Sequence, residues 1–146
     1  MSRITVENLR KMSYDQNPQI KQYYIGRGSA PPYEALGLGN PFTVEEHGRG
    51  NCIQLYADYL DKQLADPQSK EYKIISRLVE ELLAGNDIRL FCWCSPQPCH
   101  GDIIQDRVMR IYHKRVLDGL AASQSKHSPT QPSNRVNFGD FSQIWK

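Results

Sequence analysis

The sequence has no long apolar run, no excess of charge in its body and no phosphate-loop signature, and each absence removes a class of function. No stretch approaches the roughly 20 apolar residues of a membrane-spanning helix, and the first residues lack the apolar core of a secretion signal. A cytoplasmic protein without a membrane anchor is expected. Formal net charge is +2, yet the excess sits in the tail, where Lys126, Arg135 and Lys146 oppose Asp140 alone. Residues 1–119 carry 15 basic against 15 acidic side chains and are neutral. Binding duplex nucleic acid through its backbone draws on a basic surplus to neutralise phosphates, so a duplex partner is not expected. G-x-x-x-x-G-K-[ST] is missing, which excludes a Walker-type site. With 146 residues, 39% of them hydrophobic, the chain supports one core, whereas two independent domains would each be marginal. Four cysteines in a cytoplasmic chain point to metal ligands, reactive thiols or packing before disulfides.

What is present is strongly patterned. Residues 3–9 alternate around Ile4, Val6 and Leu9 as a first strand, and Gln22–Ile25 reads as a second, ended by Gly26. Gly26–Phe42 then holds four glycines and three prolines, which breaks both helix and strand. Tyr33, Leu36, Leu38 and Phe42 predict that this loop is ordered and packs. From Gly50 the period becomes helical: Cys52, Leu55, Tyr56, Tyr59, Leu60 and Leu64 share a face until Asp66-Pro67. Ser69 opens a second helix with Tyr72, Ile75, Leu78, Val79, Leu82 and Leu83 on its apolar side, closed by Gly85-Asn86. Ile88–Cys94 is nearly all apolar, the mark of a central strand buried on both faces. A third helix is expected from about Cys99 to Val116, through Ile104, Val108, Ile111 and Tyr112, with Arg107 and Arg110 on its solvated side. Strand, tight turn and helix in that order form the nucleotide-fold building block.

The segment I-R-L-F-C-W-C-S-P-Q-P-C-H-G-D, residues 88–102, concentrates the chemistry. Cys92, Cys94, Cys99 and His100 have the residue types of a zinc or iron site, although four ligands crowded into nine positions are sterically awkward and His47 or Cys52 would have to help. Cys99 falls at the start of a helix, where the partial positive charge lowers a thiol pKa, so a nucleophilic Cys99 with His100 exchanging protons and Asp102 orienting it is a second reading. The third is an anion or nucleotide turn, because a loop leaving a central strand and opening a helix is where α/β sheets hold phosphates, and Gly101 gives the backbone room to approach. Plain packing of the cysteines, with Asp102 as a helix cap, is the fourth. The anion-binding reading is favoured. A second constellation, Gly26-Arg27-Gly28, places amides and a guanidinium at another strand end, with Asn40 in the same loop and Arg49 close behind.

Taken together, Y-I-G-R, G-N-P-F, a helix with tyrosines and C-W-C-S-P-Q-P-C-H-G-D resemble the family of domain of unknown function 4326, common in phages and bacteria. The resemblance spans roughly Val6 to Ile111. The chain keeps Gly26, Arg27, Asn40, Pro41, Cys92, Cys94, Pro96, Cys99, His100, Gly101 and Asp102. It departs in a longer loop between Ser29 and Leu38 and in the tail after Gly119. The turn is also similar to that of a second α/β family with a C-H-R ending, and both resemble Rossmann-like domains that sense or process nucleotide signals. The resemblance thus implies nucleotide binding and, for a phage-encoded member, the cytoplasm of a bacterial host.

The expected architecture is a small Rossmann-like α/β domain of three layers, with a short, mostly parallel sheet and at least three helices over residues 1–119. A flexible linker, 120–135, and an apolar docking segment, 136–146, follow. The expected pocket lies at the carboxyl edge of the strands. In it Gly26, Arg27, Gly28, Asn40, Arg49 and Gly101 bind a nucleotide or other phosphorylated small molecule, and Cys99, His100 and Asp102 are the catalytic candidates of a hydrolase or transferase. No cofactor is required by this reading; zinc or iron on Cys92, Cys94, Cys99 and His100 is the alternative. A further alternative is a phage-type interaction protein that inhibits a host factor. Phe138, Phe141 and Trp145 are the candidates for contact with a protein partner or a second copy of the chain.

Overall fold

The computed structural model describes residues 3–11, 13–94 and 97–124, with side chains through residue 121. Strands β1 (Ile4–Asn8), β2 (Ile20–Tyr24), β3 (Glu34–Ala35) and β4 (Asp87–Cys92) form one all-parallel sheet in the order β1-β4-β2-β3. Helices α1 (Val44–His47), α2 (Arg49–Leu64), α3 (Lys70–Leu83) and α4 (His100–Gln124) complete a small α/β domain. The two interior strands are β4 and β2. Register places Val6 and Tyr23 on either side of Leu90.

Side-chain alternation decides which face of the sheet each residue serves. Ile88, Leu90 and Cys92 on β4, with Tyr23 and Ile25 at the end of β2, join the main core with Tyr56, Leu60 and Leu64 of α2, Ile75, Leu78 and Leu82 of α3, and Ile104, Val108 and Ile111 of α4. The opposite parity, Tyr24 and Phe91, meets Tyr33, Leu9 and Ala30 in a second cluster. The Tyr33 and Phe91 rings lie 4.4 Å apart. The third layer over the sheet is therefore built by Ala30 and Tyr33 of the Gly26–Phe42 loop and by Leu9 after β1, while Leu36 and Leu38 of the same loop pack into the main core. Toward the amino end the same face turns polar, where Arg89 lies 3.7 Å from Glu7 and 3.5 Å from Asp15.

Several local expectations shift. β4 ends at Cys92, and Trp93, expected inside the strand, is 52% exposed. Helix α4 runs past Val116 and the boundary expected at Gly119 to Gln124. Strand β3 and helix α1, a single turn capped by Thr43 Oγ1 on the Glu46 amide at 3.2 Å, had no periodic signal. Arg107, expected on a solvated face, is buried, and its guanidinium grips both Asp61 oxygens at 2.8 and 3.0 Å, joining α4 to α2. Arg110 stays on the outer side with Asp106. Most of the linker and all of the segment holding Phe138, Phe141 and Trp145 lie outside the described residues. No helix among the described residues is long and apolar enough to cross a membrane.

Candidate functional site

At the carboxyl ends of β2 and β4 a cavity of about 260 Å³ opens between the Gly26 loop, the start of α2 and the start of α4. Parallel strands leave this edge to the loops that follow them, which is why open α/β sheets place ligands here. Gly26, Arg27, Asn40, Arg49, Cys99 and His100, all expected at the site, line it together. The sequence put Gly28, Gly101 and Asp102 there as well, and the structure does not.

The loop after β2 is shaped by a missing side chain. Tyr24 folds back so that its hydroxyl donates to the Arg27 carbonyl at 2.9 Å, and a Cβ on Gly26 would collide with that phenol. Arg27 then crosses the loop, its Nε donating to the Asn40 carbonyl at 2.8 Å. Asn40 is buried and pins the loop to α2, because its Nδ2 donates to the Cys52 carbonyl at 3.2 Å while its Oδ1 accepts the Phe42 amide at 2.9 Å. Arg49, one turn before Cys52, donates to the Pro98 carbonyl at 3.2 Å and so bridges α2 to the turn before α4. Neither Arg27 nor Arg49 has a carboxylate partner among the described residues. Gly28 lies one residue beyond, exposed, at φ 73° in the turn.

The start of α4 is a reciprocal cap. Cys99 Sγ accepts the Gly101 amide at 3.3 Å in the place usually taken by a serine oxygen, and Asp102 Oδ2 reaches back to the Cys99 amide at 3.0 Å. Asp102 is otherwise exposed. Its carboxylate is spent on the helix end, away from the imidazole it was expected to orient. Gly101 is likewise a packing residue: a Cβ there would stand 2.8 Å from both Ile25 Cδ1 and Val6 Cγ1.

Cys99 does not become the low-pKa nucleophile that a helix start suggests. Its Sγ lies 3.5 Å from Cys92 Sγ. That sulfur contact, followed by burial, pushes the Cys99 thiol up, and the Gly101 amide only partly opposes it. His100 is buried with its Nε2 at 2.7 Å from the Ile25 carbonyl. A carbonyl accepts only, so Nε2 carries the proton and Nδ1 is the ring's acceptor. Burial holds the His100 pKa below its ordinary value, the Ile25 bond opposes this, and the Arg27 charge adds to the depression. Tyr56 packs edge-on against the ring at 5.1 Å. The result is a neutral imidazole in a fixed tautomer, with no described residue bonded to Nδ1.

Sequence reasoning missed the apolar wall. Tyr24, Phe42, Val44, Ile53 and Trp93 line the cavity. Trp93 Nε1 donates to Tyr24 Oη at 3.1 Å, and the Arg10 guanidinium stands 5.6 Å from its ring centre. An aromatic residue at the end of a central strand was the available signal, read instead as burial. Tyr56 and Tyr59 keep to the core side, as their spacing predicts. His47 packs on Phe42 at 5.8 Å and does not line the cavity. All four cysteines do: Cys52, Cys92, Cys94 and Cys99. Even so, Cys92, Cys94, Cys99 and His100 do not make the expected alternative metal site, since among the described residues no three or more His, Cys, Asp or Glu side chains are grouped to hold a metal ion. Cys92 and Cys99 face each other, and His100 has Nε2 committed to a backbone carbonyl.

No curated protein and no solved structure matches the chain. The model of the family described as Domain of unknown function (DUF4326) matches residues 8–110, which hold β2, β3, β4, α1, α2, α3, every residue of the cavity and the first half of α4, and the chain belongs to that family.

Proposed function

We propose that the cavity binds a small anionic ligand of the nucleotide type. The observation that carries this is the pair Arg27 and Arg49, two guanidinium groups on the wall of one apolar, aromatic cavity with no carboxylate among the described residues to neutralise them. Guanidinium N–H groups fit phosphate oxygens in a fork, and an aromatic wall suits the face of a base. At about 260 Å³ the space falls just below the roughly 300–1,000 Å³ of pockets that enclose a whole drug-sized molecule. A base or sugar fills its apolar part, and the phosphates lie against the arginines of its wall. Gly26 contributes a backbone that comes close to the ligand. Trp93, half exposed at the mouth, supplies the stacking surface.

Any acid or base chemistry on this ligand falls to His100 rather than to Cys99 or Asp102. A neutral imidazole with Nε2–H tied to Ile25 presents Nδ1 as a proton acceptor, the state a general base needs near neutral pH. Hydrolysis or group transfer by a water or hydroxyl held at Nδ1 is the reaction class this allows.

Calorimetry, with Trp93 fluorescence as a second signal, tests the reading. Nucleoside mono-, di- and triphosphates and nucleotide sugars are compared with free nucleosides and inorganic phosphate. Nucleotides are expected to bind tighter than either component, and Arg49→Ala to weaken them by roughly ten- to a hundredfold, the loss of a charge-assisted hydrogen bond. Absence of heat from every phosphorylated compound, or affinity indifferent to Arg49→Ala and Trp93→Ala, overturns it.

A further inference from the structure

The cavity holds a feature that ligand binding does not require. Cys92 ends the buried strand β4 and Cys99 caps α4; both are buried, neither is in a disulfide, and their sulfurs lie 3.5 Å apart. Both also line the cavity, so a small molecule entering it reaches them. A serine or alanine would serve the helix cap or the packing without this reactivity. We propose that Cys92 and Cys99 are an oxidisable pair, which hydrogen peroxide entering the cavity converts to an intramolecular disulfide joining the end of β4 to the start of α4.

The chemistry balances with the peroxide alone. One sulfur, as thiolate, attacks a peroxide oxygen; the O–O bond breaks, a sulfenic acid forms and hydroxide leaves to take up a proton as water. The second sulfur then attacks the sulfenic sulfur, the S–O bond breaks, the S–S bond forms and a second water departs. Two thiols and one peroxide give one disulfide and two waters, and the two electrons pass from sulfur to oxygen. The sulfurs must close from 3.5 Å to about 2.05 Å. β4 is held between two neighbours, so the movement falls on Cys99 and the first turn of α4. Closure draws Cys99 Sγ off the Gly101 amide and moves the His100 wall of the cavity.

Burial shapes the selectivity. Cys99 is 3% exposed, so reagent size sets the selectivity: bulky alkylating agents are held off where peroxide enters, while the raised thiol slows both reagents alike. Cys94 is the more exposed competitor two residues away, and Cys52 on α2 gives its S–H to the Arg49 carbonyl at 3.3 Å. The proposal is independent of the ligand reading above, because it needs only that peroxide reach the two sulfurs through the cavity they line.

The full chain is treated with about one equivalent of hydrogen peroxide, blocked with N-ethylmaleimide, and read by intact mass and by non-reducing peptide mapping. The expected product is lighter by about 2 Da before blocking, takes up two maleimides after denaturation where the reduced chain, with its four cysteines, takes up four, shows a Cys92–Cys99 cross-linked peptide and reverts with dithiothreitol. Cys92→Ala and Cys99→Ala abolish the cross-link, whereas Cys52→Ala and Cys94→Ala keep it. The wild-type peptide map alone decides the matter where an alanine variant does not fold. A bridge that includes Cys94 or Cys52, oxygen added to one cysteine without a bridge, or no change in mass overturns the proposal.

Discussion

Replacing Gly101 by alanine puts a methyl group where the chain has no room for one. The new Cβ would stand 2.8 Å from Ile25 Cδ1, 2.8 Å from Val6 Cγ1 and 3.3 Å from Cys99 Sγ. Carbon atoms in contact prefer about 3.5–4.0 Å, so two overlaps of roughly 1 Å must be relieved. Ile25 is fully buried, so its terminal methyl has nowhere to swing. Val6 is β-branched on a paired strand opposite Leu90, and its rotamer is stiff. Overpacking of this kind costs about 1–3 kcal/mol, while alanine gains at most about 1 kcal/mol over glycine in a helix and less in the first turn. The net expectation is a loss of about 1–2 kcal/mol, read as a lower urea midpoint at unchanged slope and a Tm lower by a few degrees. A variant as stable as the wild type refutes the packing argument. One that is fully stable but no longer binds nucleotide would return Gly101 to the ligand side, where its sequence context placed it.

The remaining predictions are independent of this one. Because the folded His100 pKa lies below the ordinary value of about 6.5, the unfolded chain binds the extra proton first as pH falls. Stability contributed by the neutral ring is therefore lost below about pH 6.5, by up to roughly 1.4 kcal/mol per pH unit. His100→Gln, which keeps an N–H for the Ile25 carbonyl, should flatten urea midpoints between pH 7.5 and about 5.5, and an unchanged slope would assign the effect elsewhere. Arg107→Ala strips the fork that holds Asp61 at 2.8 and 3.0 Å. Since Asp61 remains 28% exposed and water can repay part of the debt, the expected cost is about 1.5–3 kcal/mol, and a change below about 0.5 kcal/mol would mean the pair is merely superficial. Ser69→Ala removes the α3 cap, whose Oγ accepts the Tyr72 amide at 3.0 Å and donates to the Gln63 carbonyl at 2.7 Å. It should lower denaturation stability by about 1 kcal/mol.

Elements with a sustained period could be read directly. The helical spacing of Cys52 through Leu64 and of Tyr72 through Leu82 matches α2 and α3, since one buried stripe needs an apolar residue every three or four positions. The apolar run from Ile88 matches β4 for the complementary reason, that a strand covered on both faces has no polar side. Boundaries were harder. Trp93 continues the apolar run in sequence but leaves the strand in space, because composition cannot tell a residue covered by protein from one at the rim of a cavity. α1 and β3 are too short to carry a period at all. Arg107 was misread because a charged residue on a helix is normally solvated, and only a facing carboxylate from another helix reverses that.

The site divides along the same line. By itself the amino-acid order determined a parallel α/β sheet with loops after β2 and β4 at one edge, and it named Gly26, Arg27, Asn40, Arg49, Cys99 and His100 as residues of that edge. Local chemistry suffices for this, since glycine and proline interrupt elements and apolar periods build them. The tertiary structure decided what each residue does there. Asp102 and Gly101 serve the helix end and the strand packing; Cys92 and Cys99 meet sulfur to sulfur; His100 donates its Nε2–H to the carbonyl of Ile25, 75 positions away in the chain. Those roles depend on distances between segments remote in sequence: the Cys92 sulfur and then burial raise the Cys99 thiol, and burial lowers the His100 imidazole, whatever their position at a helix start.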